Sequence, residues 1–223
     1  EDPIEYNMRY VNQTQINVQA GVTFANGLRA ILRQDPNIIM VGEIRDSETA
    51  GIAVQAALTG HLLLSSLHTN DSTTVVPRLF DLEAPPFLVV SVLNVIIAQR
   101  LVRRVCQTCI YSYEVEEDIK EIIRNQMKEV GLNSDQVKMP KSFYKGKGCS
   151  SCGSTGYRGR LGIYEVLDIN EGVKKVIISK DFSLEKLKEV ARKSGMKTMF
   201  EDGLAKVELA MTTIDEVLRV IRE

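Results

Sequence analysis

Four cysteines occur in this 223-residue sequence, as two pairs of identical spacing: Cys106-Gln-Thr-Cys109 and Cys149-Ser-Ser-Cys152. Two CxxC knuckles with a helix-sized insert between them suit four thiolates around a tetrahedral Zn²⁺. Gly146, Gly148 and Gly153 allow the tight turns that bring backbone N–H groups up to the sulfurs. Four thiolates close the coordination sphere, so such an ion would be structural rather than catalytic. The competing reading is four free thiols or two redox pairs. The opening Glu1-Asp2-Pro3-Ile4-Glu5 carries no secretory pattern, which favours a reducing compartment and therefore metal.

A second group of residues suits phosphate chemistry. Glu43, Arg45 and Asp46 follow directly on the apolar run Ile38–Val41, and His68 follows Leu62–Leu67. Ligands of open α/β sheets lie outside the carboxyl ends of the strands. A glutamate there can hold Mg²⁺ through water or activate an attacking water in phosphoryl transfer. A histidine one strand over can sense or polarise a γ-phosphate. The plainer reading is a surface ion cluster at a helix start and a turn histidine. Arg29 and Arg33 stand four residues apart on a helix, as a phosphate clamp, a partner-facing pair or a solvated face. Asp2 and Glu5 add carboxylates on another expected strand-end segment. A phosphate-binding loop, GxxxxGK[ST], does not occur in these 223 residues. Lys145-Gly-Lys-Gly148 lacks its first glycine and the Ser/Thr after Lys147, and reads as part of the second cysteine knuckle.

The elements that must position these groups follow from periodicity. Residues 14–19 alternate polar and apolar, which predicts a half-buried strand. Thr23 caps a helix reaching Gln34, broken by Asp35-Pro36. Residues 38–41 predict a strand buried on both faces, Asp46 caps a helix over 47–58 ended by Gly60, and residues 62–67 predict a second buried strand. This alternation predicts an α/β fold with parallel strands and right-handed crossovers. Further helices are expected over 72–82, short or bent at Pro77, and from Pro86 to about Arg104. A surface helix is expected over 115–130, an Arg/Gly turn and then a strand over 157–167, a Ser183-capped helix to about Ser194, and a final helix opened by a Thr213-x-x-Glu216 capping box.

Composition narrows the classes. Lys plus Arg number 28 against 29 acids, a formal net charge of −1, so no bulk positive field points to nucleic acid. With 44% hydrophobic and 26% charged residues the chain reads as a folded domain rather than a disordered or fibrous one. Its longest apolar run, residues 87–98, is interrupted by Ser91 and Asn94 and is too short to span a bilayer.

Taken in order, the motifs resemble those of the secretion ATPases that power type II secretion and type IV pilus assembly, over essentially the whole chain. Residues 1–6 (EDPIEY) resemble that family's acidic box. Residues 29–50 (RAILRQDPNIIMVGEIRDSETA) resemble its arginine segment and atypical Walker B strand. Residues 59–71 (TGHLLLSSLHTND) resemble its histidine box. The segment from Pro85 to Cys106, the two CxxC pairs and residues 156–167 (GYRGRLGIYEVL) match the remaining landmarks.

The resemblance implies a RecA-like parallel sheet over residues 1–104, a tetracysteine zinc subdomain over 105–160 and a mostly helical region over 161–223. It implies ATP with Mg²⁺ at Glu43, with Glu5 as a second acid for water activation, Asp2 in support and His68 on the γ-phosphate. Arg29, Arg33, Arg45, Arg158 and Arg160 would meet phosphates or a neighbouring subunit. Cys106, Cys109, Cys149 and Cys152 would bind Zn²⁺, a feature that disfavours a retraction motor. It implies a homo-hexamer, an inner-membrane platform protein as partner, no membrane span and a cytoplasmic place at the inner face of the bacterial inner membrane. It further implies that the phosphate-binding loop lies upstream, so that this chain is the C-terminal part of a longer ATPase with little activity alone and an unpaired sheet edge. A zinc-stabilised interaction module without catalysis is the alternative.

Overall fold

The structure, a computed structural model, describes residues 1–129, 139–140 and 142–222. Packing divides them into two units, each discontinuous in sequence: residues 1–96 with 168–194, and residues 97–167 with 195–223.

In the first unit, α1 (Phe24–Ile31) is capped by Thr23, whose hydroxyl accepts the Asn26 N–H at 3.2 Å, and ends in a 3-10 turn over Leu32–Gln34. Asp35, at φ +52°, then turns the chain into β1 (Ile38–Val41). Asp46 caps α2 (Ser47–Leu58) through the Thr49 N–H at 2.7 Å. β2 (Leu62–Ser65) pairs parallel with β1, with Ile38 opposite Leu62 and Met40 opposite Leu64. The expected βαβ crossover is therefore present. Ile39 and Val41 face a core built with Leu28 of α1 and Ala50, Ala53 and Ala56 of α2, whose small side chains let helix and sheet approach closely.

One expectation fails here: the two strands are buried on one face only. Ile38, Met40, Leu62 and Leu64 are 63, 61, 52 and 52% exposed, because α1 and α2 both lie on the other side. Residues 14–19 also form no strand. Asn17 bridges Val22 across a tight turn and its side chain caps a 3-10 turn over Val18–Ala20, so those backbone groups bond locally.

α3 (Val75–Asp81) is short, with Pro77 in its first turn where its missing N–H costs nothing. α4 (Pro86–Val92) ends far earlier than Arg104: residues 95–105 form the long strand β3 instead. Val95, Ile96, Ile97, Val102 and Val105 give this stretch a β-branched content that tertiary pairing converts to strand.

In the second unit, β4 (Ile110–Tyr113) pairs antiparallel with β5 (Phe143–Gly146), and α5 (Glu117–Glu129) lies between them in sequence; Val130, the expected helix end, falls outside the described residues. Ile123 and Met127 of α5 are buried, so it is an amphipathic core helix rather than a purely superficial one. β3 pairs with β6 (Tyr157–Asp168), which runs continuously through the expected Arg/Gly turn. In the first unit again, α6 (Glu171–Ile177) packs on α7 (Leu184–Lys193), the latter capped by Ser183 as expected. α8 (Met199–Glu208) and α9 (Ile214–Arg222) close the second unit, burying Phe200, Leu204, Ile214 and Val217. The Thr213 hydroxyl accepts the Glu216 N–H, but the Glu216 carboxylate turns to Arg103 and Arg219 instead of completing the capping box. Among the described residues no helix is long and apolar enough to cross a membrane.

Candidate functional site

Parallel pairing in register brings the carboxyl ends of β1 and β2 side by side, and two bonds fix them there. Ile44 N–H donates to Ser66 O (3.0 Å), and the Ser66 hydroxyl donates to Gly42 O (2.6 Å). Glu43 thereby stands next to the turn that carries His68. His68 Nε2 donates to Glu43 Oε2 at 2.9 Å, and Arg45 bonds Glu43 Oε1 at 2.5 Å. The Arg45 guanidinium also lies 3.6 Å from Asp2 Oδ2, so four of the expected site residues form one chain of charges, Asp2–Arg45–Glu43–His68. Glu43 is 12% exposed in its side chain while His68 is 85% exposed. Arg45, offset by partial desolvation and reinforced by His68, holds the Glu43 carboxyl below the usual carboxylate range. An ionised, nearly buried carboxylate beside an exposed imidazole can orient a water, accept its proton or meet a cation through water.

Other expected residues lie apart from this group. Arg29 is held by Glu48 at 2.7 Å and by Asn26 at 3.2 Å, joining α1 to α2. Arg33 and Glu5 are exposed, and Arg158 and Arg160 are exposed on β6 in the second unit. Ser66 is the residue that sequence reasoning missed. Its role depends on strand register, and its only signal was its place two residues before His68.

The four cysteines converge. Their sulfurs all lie within 4.8 Å of one another, with Cys106–Cys149 at 3.8 Å, Cys109–Cys152 at 3.9 Å and Cys149–Cys152 at 3.7 Å. A Zn–S bond of about 2.3 Å sets tetrahedral sulfur–sulfur edges of about 3.8 Å. A disulfide needs about 2.05 Å. The spacing fits a four-thiolate metal site. Cys152 Sγ also accepts the N–H groups of Cys149 (3.2 Å) and Gly156 (3.3 Å). Burial pushes the Cys152 thiol up, and these donors outweigh it and bring it down to about 6; burial pushes Cys109 up to about 12.

Residues 1–219 match the family model described as "Type II/IV secretion system protein". The chain is 49% identical over 218 residues to the type IV pilus assembly ATPase PilB of Thermus thermophilus, covering 98% of this chain and 24% of that protein. It is 45% identical over 223 residues to the type II secretion system protein E of Pseudomonas aeruginosa, covering all of this chain and 42% of that one. The chain thus spans less than half the length of these curated relatives. Its α/β fold is similar to that of the pilus retraction motor PilT solved with bound ADP, with a TM-score of 0.66 and 26% identity over 99% of this chain and 50% of that one. The Legionella pneumophila ATPase DotB, at 21% identity, shares the fold with a TM-score of 0.62 over 99% of this chain and 50% of that one. Motif order, fold and relatives agree: the chain belongs to the type II/IV secretion system protein family.

Proposed function

We propose that this chain is the ATP-hydrolysing part of a motor for type II secretion or type IV pilus assembly, working in a hexameric ring against an inner-membrane platform protein. The observation that carries the reading is the Glu43–His68 pair at the ends of two parallel strands. Glu43 orients and deprotonates the attacking water and meets Mg²⁺ through water, while His68 reaches the γ-phosphate. Asp2 supplies further acid beside Arg45. Glu5 is the second acid for water activation, brought in when nucleotide binds, and Arg45 keeps Glu43 ionised until then. Arg29, Arg33, Arg158 and Arg160 face phosphates or a neighbouring subunit. Mg²⁺ is usually held by one or two carboxylates plus substrate phosphates rather than by an all-protein cage, which suits this sparse acid set.

The sheet supports a RecA-like reading. A parallel sheet is normally covered on both faces, whereas among the described residues β1 and β2 pair as strands only with each other and leave an apolar face open. Chain upstream of position 1, which the longer relatives leave room for, would complete it and bring the phosphate-binding loop. The four cysteines hold structural Zn²⁺, which cross-links the 105–160 subdomain. The protein would work in the cytoplasm at the inner membrane face. A zinc-stabilised interaction module is the second reading, favoured by the lack of GxxxxGK[ST] in these 223 residues.

The test measures ATP turnover and nucleotide affinity for this chain and for the same chain with its upstream segment. In the extended protein Glu43→Gln is expected to lower turnover by about 10²–10⁴-fold while leaving nucleotide affinity nearly unchanged. Turnover that survives the change removes Glu43 from the chemistry. An extended wild-type protein without turnover favours the module.

A further inference from the structure

Beside the cysteine cluster lies a contact in which no cysteine takes part. Gly146, the last residue of β5, touches Gly156, the residue before β6, backbone to backbone. A Cβ on Gly156 would stand 2.6 Å from the Gly146 carbonyl oxygen, and one on Gly146 would stand 2.6 Å from the Gly156 Cα. Beside them, a Cβ on Gly148 would meet the Ser154 carbonyl oxygen at 2.7 Å. All of these neighbours are backbone, so none can swing aside.

Each glycine is also wired to a knuckle. Buried Gly156 donates its N–H to Cys152 Sγ at 3.3 Å, and its carbonyl accepts the Cys106 N–H at 2.9 Å, so one residue bonds both CxxC pairs. Gly146 leads into Lys147, whose N–H donates to Cys109 O at 3.0 Å. We propose that Gly146 and Gly156 are the positioning residues of the metal site. Their side-chain-free contact sets the separation of the two knuckles, and the Gly156 N–H holds the Cys152 sulfur as a ligand.

This rests on reading the cluster as a zinc site. Its physical basis is tolerance: moving one knuckle by the roughly 1 Å that a methyl group needs breaks sulfur edges that now match a tetrahedron. Outer contacts of this kind typically govern metal affinity by about 10–100-fold.

The experiment titrates Co²⁺ into the reduced, metal-free 223-residue chain and reads the thiolate-to-cobalt charge-transfer and d–d bands. Gly146 does not lie at positive φ, so Gly146→Ala tests the contact without backbone strain. Gly159, at φ +80° with open space around it, supplies strain without a clash. Wild type is expected to give a tetrahedral four-thiolate spectrum, with Gly146→Ala binding about 10–100-fold more weakly and Gly159→Ala close to wild type. Wild-type affinity and spectrum in Gly146→Ala overturn the proposal and leave the zinc reading intact. A wild-type chain that takes up no cobalt overturns both. Should Gly146→Ala fail to fold, the wild-type chain loaded with cadmium-113 decides. A proton–cadmium coupling at the Gly156 amide, passed through N–H···S, is expected, and its absence overturns the role of Gly156.

Discussion

Glu216 is a carboxylate buried in the second unit between two arginines. Its side chain is 2% exposed and accepts the Arg103 N–H (2.9 Å), the Arg103 guanidinium (2.7 Å) and two Arg219 nitrogens (3.2 and 3.1 Å). Arg103 in turn lies 4.1 Å from the centre of the Tyr157 ring. Burial pushes the Glu216 carboxyl up, but the two arginines and the Arg103 N–H outweigh it and hold the carboxyl at about 2. Its pKa is thus lower folded than unfolded, where a glutamate titrates near about 4.3. The stabilisation is complete above that value and is lost as pH falls from about 4.3 towards 2. Urea midpoints measured across this window should fall for wild type and much less for Glu216→Gln. At neutral pH that variant should cost about 3 kcal/mol, because it leaves two arginines facing a neutral amide.

Among the elements, the α8–α9 crossing shows where helix propensity gives the wrong sign. Alanine in place of a mid-helix glycine normally adds up to about 1 kcal/mol. A Cβ on buried Gly203, however, would stand 2.6 Å from Val217 Cγ1. Valine is stiff at χ1, so the helices must separate, at a cost of about 1–3 kcal/mol. Gly203→Ala is therefore expected to lower the melting temperature, and a rise would show that α9 can shift freely. The same competition of local and tertiary terms explains which elements were legible. Caps at Thr23, Asp46 and Ser183 act within one turn and could be read directly. Residues 95–105 follow a helix start at Pro86 and carry no break signal beyond Asn94, so only pairing with β6 reveals them as a strand.

At the scale of the whole molecule, each unit has its own core and an incompletely covered sheet. In the first unit the open face carries Ile38, Met40, Leu62 and Leu64 in paired register. In the second, Ile97, Leu101, Tyr164 and Val166 are 59, 46, 41 and 46% exposed on β3 and β6. Covering half-exposed aliphatic side chains returns on the order of 1 kcal/mol each. The proposal that upstream chain covers the first face has a direct consequence. Met40→Lys should leave the thermal midpoint of the 223-residue chain almost unchanged, since Met40 is already 61% exposed. In the extended protein the same change should lower it by several degrees, as a buried charge would. Equal effects in both would mean that nothing upstream packs there.

The sequence by itself determined the family, the α/β alternation, the helix caps and which side chains were candidates for chemistry. All of these depend on residue type and on spacings of a few positions. Two CxxC pairs mark four thiols as a candidate group wherever the chain places them. Only the tertiary structure decided the rest. It tied Arg29 to Glu48, linked Asp2, Arg45, Glu43 and His68, and gave Ser66 its place between two strand ends. It turned residues 95–105 into a strand, left β1 and β2 bare on one face, and brought the four cysteine sulfurs together beside a backbone contact of Gly146 with Gly156. The physical reason is common to all of these. Strand pairing, face burial and backbone contact are set by partners distant in sequence, and no local pattern records which partner arrives.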